Sequence, residues 1–80
     1  MNANEITRGL SKTIRVARAK DELCIVDGVL NIVERELLEE KQKARFGLPS
    51  TVTRKSKIRD IVWEVWLLRY QRVLDVEAEE

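Results

Sequence analysis

Eighty residues, 36% of them charged, with one cysteine, no histidine and a net charge of +1, describe a single small domain spanning residues 1–80. One cysteine excludes an internal disulfide, and the missing histidine removes the commonest general base and the usual zinc ligand. A chain of this length buries only about 60% of its unfolded surface, so a partner subunit is the expected source of further stability.

The first predicted helix covers about residues 5–19. Ile6, Leu10, Ile14 and Ala17 recur at spacings of four, four and three and make one apolar stripe. Arg8, Lys12, Arg15 and Arg18 form a basic strip on another face, and Asn2 with Glu5 resembles a capping box. Gly9 weakens this helix by roughly 1 kcal/mol relative to alanine.

A second helix is predicted over about 21–46, with Asp21 as its N-cap and Gly47 just past its C-terminus. Leu23, Val26, Leu30, Val33 and Leu37 follow the 3-4-3-4 spacing of a coiled-coil seam. Ile25, Val29 and Ile32 make a second stripe beside it, a face wide enough for two neighbours. Gly28 sits mid-helix, as a tolerated cost or as a point of close approach. The cluster Gly47-Leu48-Pro49-Ser50 breaks the chain, and residues 47–53 are the expected loop.

The third predicted helix covers about 54–76, with Thr53 as N-cap and Thr51 as the alternative. Its centre, from Ile58 to Leu68, is apolar around almost the whole axis and requires cover that one small chain cannot supply. A strand over Ile61–Leu68 is the competing assignment, disfavoured because no second strand-like run exists to pair with it. Glu64 interrupts this stretch, which falls far short of the roughly 20 residues needed to span a bilayer. No basic segment leads into an apolar one at the N-terminus, and a lone thiol (Cys24) fits a reducing compartment. A cytoplasmic protein with no membrane contact is expected.

Charge is sorted into alternating blocks. Residues 1–20 are net +4, 21–40 net −6, 41–60 net +6 and 61–80 net −3. Such blocks steer association and orient docked surfaces. Lys41, Lys43, Arg45, Arg54, Lys55, Lys57 and Arg59 flank the loop and would converge in an antiparallel hairpin as a site for an anion or a nucleic-acid backbone. Thr53 and Ser56 add hydroxyls there. The moderate pI of about 7.9 and the acidic second helix argue against a dedicated nucleic-acid module. Trp63, Trp66 and Tyr70 share one helical face, with Arg69 placed to stack on Trp66. No phosphate-binding glycine loop, nucleophile motif or metal-ligand spacing is present, so no enzyme activity, cofactor or metal is expected.

Residues 10–35 carry Ile14-Arg15-x-x-Arg18-Ala19, the nearby Cys24, and then a charged helix of apolar periodicity. This third of the chain resembles the N-terminal dimerisation region of the histone-like nucleoid-structuring family. The resemblance implies a dimeric nucleoid-associated partner, or an antagonist that joins such proteins without binding DNA. The long linker of that family and its Gln-Gly-Arg DNA-reading loop have no counterpart here.

The expectation is therefore an all-α chain of three helices, one short and two long, with the long pair as an antiparallel hairpin completed by a homodimer. The expected subunit or partner interface comprises Ile61, Trp63, Trp66, Leu67, Tyr70, Leu74, Leu23 and Leu30. The expected role is a small non-enzymatic regulatory or adaptor protein, a partner or antagonist of nucleoid or transcription proteins, working through helix–helix contacts. The alternatives are a nucleic-acid-binding regulator using the basic junction and, more remotely, a small all-helical enzyme.

Overall fold

The computed structural model describes the backbone of residues 3–79 and the side-chain surroundings of residues 9–79. Two helices account for it: α1, Ala3–Arg45, and α2, Val52–Ala78, packed as an antiparallel hairpin. The expected three helices are thus corrected to two, because the segments 5–19 and 21–46 form one continuous helix of 43 residues.

The physical reason lies at residues 19–21. Asp21 is a good cap, but inside a helix it costs at most about 0.7 kcal/mol, and no proline or glycine stands beside it to stop propagation. Continuing the helix extends the seam. Val16, Ala19, Leu23, Val26, Leu30, Val33 and Leu37 alternate by three and four, and all are buried or half-buried. Leu10, Ile14 and Ala17, three of the four residues of the apolar stripe read from the first segment, are exposed. The proposed capping box at Asn2 and Glu5 lies outside the described side chains.

The facing seam of α2 is Val52, Lys55, Arg59, Val62, Trp66, Val73 and Val76. The deepest positions of the hairpin are Ala19, Leu30, Leu37, Val73 and Val76, and Val76 is wholly buried. Val52, Val62 and Trp66 are only half-buried. The result is a rod of 68 × 14 × 12 Å with a radius of gyration of 19.0 Å. A compact domain of this length would have about 12 Å. Two helices side by side bury one stripe each and leave the rest of each circumference open.

The turn is built locally. Gly47 adopts φ +73°, Leu48 N–H donates to Lys43 O at 2.9 Å and Gly47 N–H to Ala44 O at 3.1 Å, the paired bonds of a Schellman stop. The expected C′ role of Gly47 is therefore found. The N-cap of α2 is Thr51 instead of Thr53, and its side chain makes no capping bond. Its backbone N–H donates to Glu40 Oε2 at 3.0 Å, so a carboxylate on α1 pins the start of α2.

Candidate functional site

With the seam fixed, most of the exposed apolar residues sort onto two flanks, leaving Leu10, Ile14, Leu38, Phe46 and Leu48 apart. On α1, Glu22, Ile25, Val29, Ile32 and Glu36 follow a 3-4-3-4 spacing beside the seam. On α2, Ile58, Ile61, Val65, Leu68 and Arg72 do the same. Ion pairs tie these stripes together at both ends: Glu36 Oε2 to Lys55 Nζ at 2.9 Å, and Glu22 Oε2 to Arg69 Nη1 at 3.5 Å. Between the pairs, Ile25, Val29 and Ile32 stand level with Leu68, Val65 and Ile61. All six are exposed, at 36% to 70% of their surface. This aliphatic flank is two helices wide and framed by charge.

The opposite flank differs. Trp63, Leu67, Tyr70 and Leu74, at 4-3-4 spacing, form an exposed stripe on α2 alone. Trp63 and Trp66 stack at 5.4 Å with planes 8° apart, and Trp66 and Tyr70 at 5.3 Å with planes 6° apart. Parallel aromatic pairs of this kind add about 0.5–1.5 kcal/mol each beyond burial. Trp66 sits at the edge of the seam and donates its indole N–H to Asp27 Oδ1 at 3.2 Å. The α1 side of this flank is mostly polar, with Lys20, Asp27 and Glu34 one heptad apart and the small Cys24 between them, and Lys20 pairs with Glu77 at 3.2 Å. The expected stacking of Arg69 on Trp66 is not what forms, since Arg69 turns across the seam to Glu22.

Of the expected interface residues, Ile61 lies on the aliphatic flank, and Trp63, Leu67, Tyr70 and Leu74 lie on the aromatic one. Trp66 is half-buried between α1 and its stacking partners. Leu30 is buried and Leu23 half-buried in the seam within the chain. Sequence reasoning did not bring Ile25, Val29, Ile32, Val65 and Leu68 together as one surface. Their matched stripes were visible, but their alignment depends on the register between the helices.

The seven basic residues do gather at the loop end, but they do not point one way. Lys43 pairs with Glu40 at 3.1 Å and Lys55 with Glu36. Arg59 Nε is buried 3.2 Å from Asp60 Oδ1, without the alignment of a hydrogen bond. Lys41, Arg45, Arg54 and Lys57 are exposed at different angles about the two helices. The hydrogen bond and charge of Glu36 hold the Lys55 ammonium above its ordinary pKa. The Thr51 N–H, followed by Lys43, holds the Glu40 carboxyl below its ordinary value.

The charge blocks find their complements inside the chain. The antiparallel turn lays the basic stretch of α1 beside the acidic end of α2, where Arg15 pairs with the Glu79 carboxylate and Lys12 donates to the Glu79 carbonyl. It lays the acidic stretch of α1 beside the basic start of α2. Each exposed pair contributes about 0–1 kcal/mol, so their effect is on register more than on total stability.

Among the described residues, no group of His, Cys, Asp and Glu side chains could hold a metal ion, and no helix is long and apolar enough to cross a membrane. Cys24 is exposed, with no second cysteine in the chain. Two exposed apolar flanks on a two-helix rod define the class of object: an all-α helical hairpin with open apolar sides. Comparison with protein-family models, curated proteins and solved structures finds no match, so function is argued from this geometry alone.

Proposed function

We propose that this protein is a small non-enzymatic regulatory or adaptor protein that assembles as a homodimer and acts through helix–helix contacts. The observation that supports this most is the pair of unpartnered apolar stripes running along both sides of the α2 seam. Exposed apolar surface organised in heptad spacing suits docking against another helix, and Trp, Tyr and Leu in such a stripe give the large, well-defined contacts that dominate binding energies. The aromatic flank, one helix wide with a polar border on α1, fits a single amphipathic helix of a partner protein. The basic junction favours nucleic acid less, because carboxylates already engage Lys43 and Lys55.

The test is affinity capture from the native host with the wild-type chain, Leu67→Glu with Leu74→Glu, and Lys57→Glu. A specific protein retained by wild type and Lys57→Glu but lost by the double variant supports the adaptor role. Identical capture by all three, or binding of generic duplex DNA that falls steeply with salt and is lost in Lys57→Glu, overturns it.

A further inference from the structure

The aliphatic flank permits a more specific inference, which rests on the reading of the chain as a homodimer. We infer that this flank, Ile25, Val29, Ile32, Ile61, Val65 and Leu68, is the seat of a second copy of the same chain. In the resulting four-helix assembly, α1 of each copy lies against α2 of the other and both loops are at one end.

Area comes first. The exposed fractions of the six residues correspond to an apolar patch on the order of 600 Å², the upper end of what a lone soluble protein usually shows. Two copies meeting there remove at most about 1,200 Å² from these residues, the lower bound of a specific interface, to which the surrounding polar residues add. A second hairpin also has the required shape. The flank is two helices wide, and a two-fold axis makes the patch its own complement.

Charge then selects between the two ways of placing a two-fold axis in the plane of that face. An axis running across the helices sets α1 against α1, antiparallel and centred near Val29. Glu22 then lies level with Glu36 of the second copy, and Arg15 level with Lys43. Like charges come together twice over by symmetry, and the opposite pairs that also fall level, Arg18 with Glu40 and Lys55 with Asp75, only offset them, so this axis gains nothing from charge.

An axis running along the helices sets α1 against α2 of the second copy in the same register as the hairpin itself. Glu22 then meets Arg72, and Glu36 meets Arg54, beside the Arg69 and Lys55 that already pair with those carboxylates within each chain. Each α1 is flanked by two α2 helices of complementary charge. Arg18 and Arg72 also come level, and Asp75, one turn from Arg72, offsets that repulsion. Like-charge contacts at an interface are strongly selective against the wrong partner geometry, so the axis along the helices is favoured. The aromatic flanks remain outside on both edges of this assembly, available to a different partner.

Sedimentation of the purified chain at micromolar concentration is expected to give about twice 9.3 kDa. Val65→Glu, or Ile32→Lys as a second variant, places an unpaired charge in the interface while its site in the hairpin is already partly open. Each should weaken dimerisation by roughly a hundredfold or more with helicity unchanged. Leu67→Glu on the aromatic flank should leave the dimer intact.

Orientation is read in a Cys24→Ser background. Chains carrying Val29→Cys mixed with chains carrying Val65→Cys should form a mixed disulfide under mild oxidation, whereas Val29→Cys alone should not link to itself. A monomeric wild type, a dimer split by Leu67→Glu but not by Val65→Glu or Ile32→Lys, or self-linking of Val29→Cys overturns the inference. Loss of host capture through the aromatic flank with the disulfide pattern intact would overturn the adaptor role alone.

Discussion

The two flanks of the hairpin begin from the same helices and end as different surfaces. On the aliphatic side, both helices contribute branched aliphatic residues at matching levels, and ion pairs close the patch above and below. On the aromatic side, α2 contributes tryptophan, tyrosine and leucine, while α1 contributes Lys20, Asp27 and Glu34. The difference teaches that heptad spacing alone does not define a contact surface. What matters is whether the neighbouring helix continues the apolar character at the same level. Where it does, the open surface is two helices wide; where it stops, it is one.

That contrast depends on a seam common to both flanks, and the largest test acts there. Leu30→Ala or Leu37→Ala, each deleting a side chain in a position only 5% exposed, should cost about 2–5 kcal/mol. A hairpin with so small a core has little stability in reserve, so thermal melting by circular dichroism should show most of the helix lost, and with it both flanks. If helicity persists with only one flank impaired, the flanks do not share this seam.

A smaller effect comes from Gly28, which belongs to neither flank. A Cβ built there meets nothing within 4 Å, which favours a tolerated mid-helix glycine over close approach of another helix. Gly28→Ala should raise stability by about 0.5–1 kcal/mol in denaturant titration, without changing assembly. Destabilisation instead would place an unseen neighbour on the outer ridge of α1 and break the division into two flanks.

The smallest effect is the pH response of the turn clamp. The pKa of Glu40 is held below its unfolded value, so the clamp's contribution is present above the ordinary glutamate range and is lost as pH falls through the lowered pKa. Melting temperature followed from neutral to acidic pH should therefore show an acid-side decline that is shallower in Glu40→Gln. Equal slopes in the two proteins would mean that Thr51 does not depend on this carboxylate.

Much of the hairpin was legible in the sequence. The seam from Leu23 to Leu37 and the stop at Gly47 follow from spacing and from the need for a residue that tolerates positive φ. The boundary at Asp21 was misjudged because a capping preference is a local property, worth less than continuing a seam already in register through Val16 and Ala19. Leu10, Ile14 and Ala17 made a competing stripe of the same period. Nothing within that segment tells which stripe faces a neighbour. Only continuity with Leu23 does.

The candidate surfaces divide the same way. Trp63, Leu67, Tyr70 and Leu74 belong to one helix, and their common face could be read from their spacing. The aliphatic flank belongs to two helices and could not be assembled without their register. The charge blocks, read from sequence as marks of an outside partner, turn out to meet one another within the chain.

The turn has a consequence for how the chain reaches this shape. Cross-helix polar contacts are nested by sequence distance: Glu40 to Thr51 spans 11 residues, Glu36 to Lys55 spans 19, Asp27 to Trp66 spans 39 and Arg15 to Glu79 spans 64. Each inner contact shortens the loop that the next must close and so lowers the entropy cost of every contact beyond it. The hairpin is thus wired to zip from Gly47 outward. Its open end, where Arg15 meets Glu79, is the last part to close and the first to fray.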